Sequence, residues 1–230
     1  MKKKLVIIIL LVIFLIGASI GVYSLFNKKT TSTDGTKFKT EYEKLNYILD
    51  DNGNNEYMTL NLPDTSMIKY SSYDEIFNII EKGTGIIYLG FPECPWCRNA
   101  ITPLLEVMND NAIDTVYYLN IKDDRDTLVL DDNGNIVTEK EGTDNYKKLV
   151  DLLRDNLGEY KGLNDSTIKR IYLPSVIFVK DGTVVGIHVS TVDSHTVGRT
   201  PLDDEQKTEL KGIYQELVDK TYGGVCDQSC

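Results

Sequence analysis

The strongest constraint on this chain is a change of pattern between residues 85 and 109. Gly85-Ile-Ile-Tyr-Leu-Gly-Phe91 is a run of β-formers too continuous for a strand with one wet face. It predicts a central strand covered on both sides. Directly after it, Cys94-Pro95-Trp96-Cys97 leads into Arg98–Asn109, which has the composition of a helix. A buried strand that turns straight into a helix belongs to a layered α/β architecture.

The same spacing suits one chemistry. A thiol–disulfide exchanger needs two sulfurs able to close a bond, one of them ionised. Two intervening residues on the first turn of a helix meet both needs. Cys94 would stand at the helix N-terminus, where free N–H groups and the positive dipole end favour a thiolate. Pro95 fits that turn because its missing N–H has no partner to lose there. Cys94 is therefore the expected nucleophile and Cys97 the deeper, resolving thiol. Two other uses of the pair stay open. One is half of a zinc site completed by Cys226 and Cys230. The other is a structural Cys94–Cys97 disulfide, which would close too short a loop to remove much chain entropy.

The flanking sequence supplies the remaining layers. Tyr42, Leu45 and Leu49 give Phe38–Leu49 a helical spacing, and Tyr57–Leu62 alternates like a strand ended by Pro63. Met67–Tyr70 is a candidate short strand. Ser72–Lys82 is an amphipathic helix closed by Gly83, and Thr115–Ile121 a second buried-type strand. Residues 122–172 then interrupt, with two short strands around Asn133-Gly134 and a helix over Tyr146–Leu157. Pro174 opens the strand Ser175–Lys180. Asp181-Gly182 turns it back into Val184–Val189, and Asp203–Tyr222 is a final amphipathic helix.

The N-terminus sets the compartment. Lys2-Lys3-Lys4 precedes an uncharged, mostly apolar run from Leu5 to Phe26, about the ~20 residues that cross a bilayer as a helix. The run is longer than a signal peptide's apolar region, and Gly17-Ala18-Ser19 is its only weak cleavage candidate. An uncleaved single-pass membrane anchor is expected, the leading lysines favouring a cytoplasmic N-terminus. The alternative is secretion after cleavage. Residues 27–37 read as a spacer. The net charge of −10 repels phosphate backbones and argues against a nucleic-acid partner.

Taken together, Phe91-Pro-Glu-Cys94-Pro-Trp-Cys97-Arg98 after a buried strand and Leu173-Pro174-Ser-Val-Ile-Phe-Val-Lys-Asp181-Gly182-Thr-Val-Val resemble the thioredoxin superfamily. The likeness covers about residues 57–222. The anchor, the Cys-Pro-x-Cys-Arg form and the acidic insertion most resemble the thioredoxin-like proteins called bacteriocin transport accessory proteins. The resemblance implies a central mixed sheet flanked by helices, the insertion 122–172 placed within it. Residues 1–26 would precede it as cytoplasmic stub and anchor, 27–56 as spacer and short helix, and 223–230 would follow as a cysteine-containing tail. It also implies a redox-active Cys94–Cys97 disulfide and a substrate surface of Pro95, Trp96, Leu173 and Pro174. Leu173–Pro174 would be cis and face the cysteines, where the residues alone also allow an ordinary trans proline opening a strand. No cofactor is implied. The partners would be cysteine-containing secreted or surface proteins or peptides, and an upstream redox partner.

This chain departs from thioredoxin at several positions. The buried acid six residues before the first cysteine is Tyr88, the Trp before that cysteine is Glu93, and a substrate-loop glycine is Ser190. The helix-kinking proline comes one residue later, at Pro103.

Other motifs are weaker. Cys226 and Cys230 read as a local disulfide on a Gly-rich tail, or as a mobile pair exchanging with Cys94/Cys97. His188 and His195 carry no ligand spacing and read as strand or surface residues. Asp131-x-Asn133-x-Asn135 is followed by Ile136 where a calcium loop needs glycine. Asn164-Asp-Ser166 matches a short glycosylation sequon. The competing functions are a disulfide reductase, oxidase or isomerase outside the cytoplasm, an accessory protein that holds secreted peptides, and a zinc-stabilised domain.

The anchor gives the first prediction. Cell fractionation finds the intact chain in the membrane, and protease added to protoplasts digests the domain. A soluble product beginning near Ser19 or Ile20 would overturn it.

Overall fold

The computed structural model describes residues 33–223. The expected anchor at 5–26 and the tail cysteines Cys226 and Cys230 lie outside these residues. Among the described residues, no helix is long and apolar enough to cross a membrane.

The scaffold is a five-stranded mixed sheet flanked by helices, compatible with a thioredoxin-like fold. Its strands are β1 (Ile68–Tyr70), β2 (Gly85–Leu89), β3 (Val116–Leu119), β6 (Ser175–Lys180) and β7 (Thr183–Val189). They lie in the order β1-β3-β2-β6-β7. The first three are parallel, and β6 runs antiparallel to both β2 and β7. All five residues of β2 are buried, as its unbroken apolar run requires. Ile86 and Tyr88 point to one face, Ile87 and Leu89 to the other, following the two-residue period of a strand.

Each face is covered by helices. On the Tyr88 side lie α1 (Asp34–Glu43), α3 (Pro95–Asp110) and α5 (Asp204–Tyr222), contributing Phe38 and Tyr42, Leu104 and Met108, and Leu210 and Tyr214. On the Ile87 side lie α2 (Tyr73–Lys82) and α4 (Asp144–Leu153), with Ile76, Ile80, Leu149 and Leu153. The insertion between β3 and β6 holds α4 and a separate hairpin, β4 (Thr127–Leu130) with β5 (Ile136–Lys140). Asp131 ties the hairpin loop by accepting the N–H groups of Asn133 and Asn135, both through Oδ1.

Two expectations are corrected near the N-terminus. The first helix begins at Asp34, inside the stretch read as spacer, because the Thr33 hydroxyl caps it by accepting the Thr36 N–H at 3.2 Å. Tyr57–Leu62 is not a strand. Its polar backbone is satisfied by side chains instead of a ladder. Asn46 bonds both the N–H and C=O of Leu60, Glu43 accepts from the Leu62 N–H, and Lys39 donates to the Leu62 carbonyl. The alternation is nonetheless real, since Leu60 and Leu62 are buried in the core.

Arg98 fastens this segment to α3. Its side chain is buried, and its guanidinium donates to the carbonyls of Met58, Tyr42 and Pro92 and to Asn46 Oδ1. Among the described residues, no carboxylate forms an ion pair with it. Arg98→Met strands these acceptors and is expected to destabilise the fold by about 3 kcal/mol, measured by urea unfolding. Arg98→Lys recovers only part of the loss, because an ammonium cannot reproduce the planar fork.

Candidate active site

β2 delivers the chain to the site, and a short loop leads into α3. Cys94 is the N-cap of α3 and Pro95 its first residue. The usual oxygen of an N-cap is replaced by sulfur: Cys94 Sγ accepts the Cys97 N–H at 3.2 Å. Both cysteines are free thiols; Cys94 is 5 % exposed and Cys97 fully buried.

The two sulfurs differ in acidity. The Cys97 thiol donates to Cys94, and this bond, with the N–H groups of Cys97 and Trp96 and the Arg125 charge, holds Cys94 below the ordinary thiol value against the opposing effect of burial. Burial pushes Cys97 well up, and its hydrogen bond to Cys94 adds to this. Cys94 therefore ionises first. Arg125 comes from the insertion, and its guanidinium lies 5.9 Å from the ring of Phe91, the residue that leads into the motif.

The second expected motif meets the first. Leu173–Pro174 is a cis peptide bond, and Leu173 O lies 3.8 Å from Cys94 Sγ. Ser190, at the position where the resemblance expects glycine, has φ +70° and donates its N–H to Pro174 O at 2.9 Å. A cleft of about 430 Å³ runs beside this corner, with Trp96, Leu157, Tyr172, Leu173 and Val189 in its largely apolar wall. Leu157 and Tyr172 come from the insertion. Pro95 does not line this cleft; it borders a small separate pocket with Tyr57 and Arg199.

The residues that hold Trp96 had no signal in the sequence. Its ring meets His195 edge-on at 5.1 Å. His195 is buried, correcting its expected surface position, because Thr191 Oγ1 and Thr200 O bind its two ring nitrogens at 2.8 Å each. Since a carbonyl only accepts, Nε2 carries a proton. Gly198 packs beneath the indole, where a methyl would stand 2.7 Å from Trp96 Cε2. Asn99 pins that loop, donating to Gly198 O and Thr200 O and accepting from the Leu202 N–H. The loop after β7 becomes a rest for Trp96 only through contacts about a hundred residues apart in sequence. His188 stays in β7, as expected. Among the described residues, no three His, Cys, Asp or Glu side chains converge as a metal site requires.

The ionisation order is testable. The iodoacetamide reactivity of reduced Cys94 should follow its thiolate, rising with pH to a midpoint below the ~8.5 of a free thiol. Arg125→Gln should move that midpoint part of the way back up. A wild-type midpoint at or above the free-thiol value would refute the assignment.

No protein-family model and no curated protein matches this chain.

Proposed function

We propose that the chain is an extracytoplasmic thiol–disulfide oxidoreductase of the thioredoxin superfamily, held to the membrane through residues 5–26. The observation that carries this reading is the first turn of α3. There, an acidified Cys94 stands in front of a buried Cys97 and faces Leu173 O across the corner of a cleft.

The chemistry follows from that order. The Cys94 thiolate attacks one sulfur of a substrate disulfide, forming the Cys94–substrate bond and expelling the other sulfur as a thiolate. Cys97 then gives up its proton and attacks Cys94 Sγ. The Cys94–Cys97 bond forms, the substrate's second sulfur leaves and takes up a proton, and two electrons have passed to the substrate. Run backwards, the same steps oxidise a dithiol. The substrates would be cysteine-containing secreted or surface proteins or peptides. An upstream partner would restore the pair.

The apolar cleft favours a second reading. A cleft of about 430 Å³, lined partly by the insertion, suits holding an extended peptide. An accessory protein of the bacteriocin transport kind would use the cysteines for capture, with little turnover.

Turnover separates the two. Full-length chain purified in detergent should reduce or oxidise a test substrate repeatedly. Cys94→Ala should abolish this, and Cys97→Ala should accumulate mixed disulfides. Full activity in Cys94→Ala would overturn the mechanism, and a single stoichiometric capture without turnover would favour the accessory role.

A further inference from the structure

In the exchange proposed above, Cys97 must ionise in a place that opposes ionisation. It is fully buried, and among the described residues no carboxylate or imidazole hydrogen-bonds to it. The polar side chain behind it is a phenol. Tyr88 Oη is buried, donates to Cys97 O at 3.4 Å and meets Tyr42 Oη at 3.2 Å. Both rings are held firmly: Tyr88 stacks on Tyr118 at 5.7 Å and Tyr42 on Phe38 at 4.3 Å.

Gly90 shows how close this phenol comes to the sulfur. A methyl built on its Cα would stand 2.7 Å from Tyr88 Oη and 3.2 Å from Cys97 Sγ. The hydroxyl and the sulfur thus border the same small space, open only because residue 90 has no side chain. Burial holds both phenols well above their ordinary pKa, so they stay protonated and act as donors, never as bases. Tyr88 already acts on Cys97 in the direction expected of a donor, lowering it against the effect of burial.

We propose that Tyr88, backed by Tyr42, is the hydrogen-bond donor that stabilises the Cys97 thiolate in the resolving step, through the gap kept open by Gly90. The proposal rests on the exchange reading. As Cys97 loses its proton, the Tyr88 O–H turns from Cys97 O to Cys97 Sγ, and the Tyr42 O–H donates to Tyr88 Oη, each bond polarising the next. Both phenols keep their protons. The Cys97 proton ends on the departing substrate sulfur, and the electron pair of Cys97 forms the bond to Cys94. Tyr88 would be catalytic, since in that step its hydroxyl bonds the reacting sulfur, and Tyr42 a positioning residue.

An aromatic disulfide such as 5,5′-dithiobis(2-nitrobenzoate) separates the steps in the reduced full-length chain. Attack by Cys94 releases one coloured thiolate, and resolution by Cys97 releases the second. Tyr88→Phe should slow the second release by on the order of tenfold, the effect of losing a hydrogen bond to a charged group. The first release should stay near the wild-type rate. Gly90→Ala should slow the same phase by filling the gap, and Tyr42→Phe should slow it less. In a Cys94→Ser background, Tyr88→Phe should raise the pH midpoint of Cys97 alkylation. An unchanged second phase, equal slowing of both phases or an unmoved Cys97 midpoint would overturn the proposal. Failure of the wild type to release any thiolate would instead overturn the exchange reading itself.

Discussion

The first turn of α3 is closed by the sulfur of Cys94, which accepts the Cys97 N–H where a helix start ordinarily uses a hydroxyl or carboxylate oxygen. Sulfur is a weak acceptor as a thiol and a strong one as a thiolate, so the helix start and ionisation of Cys94 would support each other. Everything else at the site follows from where that turn is placed. β2 must end at Leu89 and be buried on both faces to aim the loop, and β6 must pair with it antiparallel so that Leu89 meets Ser175. That register brings the Leu173–Pro174 corner against Cys94. The Cys97 amide, the Cys94 sulfur and the sequence-distant Leu173 carbonyl then share one corner.

The two sides of α3 meet different demands. Toward the cleft, Trp96 needs a firm rest, and a loop supplies one through His195, Gly198 and Asn99. On the other side, Arg98 carries a full charge into the interior and resolves it with carbonyl and amide oxygens. That arrangement suits a guanidinium, whose several N–H groups can each find an acceptor.

Much of this was legible in the sequence, for physical reasons. Unbroken apolar runs and capping residues are local signals, so β2, α2, the β6–β7 hairpin and the start of α3 emerge from the residues alone. Segment 57–62 misled because alternation reports which side chains are buried, and says nothing of whether the backbone pairs with a strand or with Asn46 and Glu43. His195 and Asn99 were invisible because their partners lie in other segments. Arg125 acts on Cys94 through its charge from the insertion, which follows the motif by a helix and a strand. Tyr88 stood out as a departure, but its approach to Cys97 needed Gly90's bare Cα to be seen in place.

The segment leading into β1 has one further consequence. Because Leu60 and Leu62 are bonded to side chains of Asn46 and Glu43 and belong to no ladder, opening of residues 48–62 would break side-chain bonds, those of Arg98 to Met58 among them, and no strand pair of the sheet. Such a sub-global opening would bare the guanidinium of Arg98 and a flank of α3 while leaving the β2–β6 ladder closed. Amide hydrogen exchange at Leu60 and Leu62 would then run ahead of exchange in the sheet. Such an opening would lie beside the turn that carries the two thiols, where Tyr57 and Met58 border one small pocket with Glu93 and Pro95.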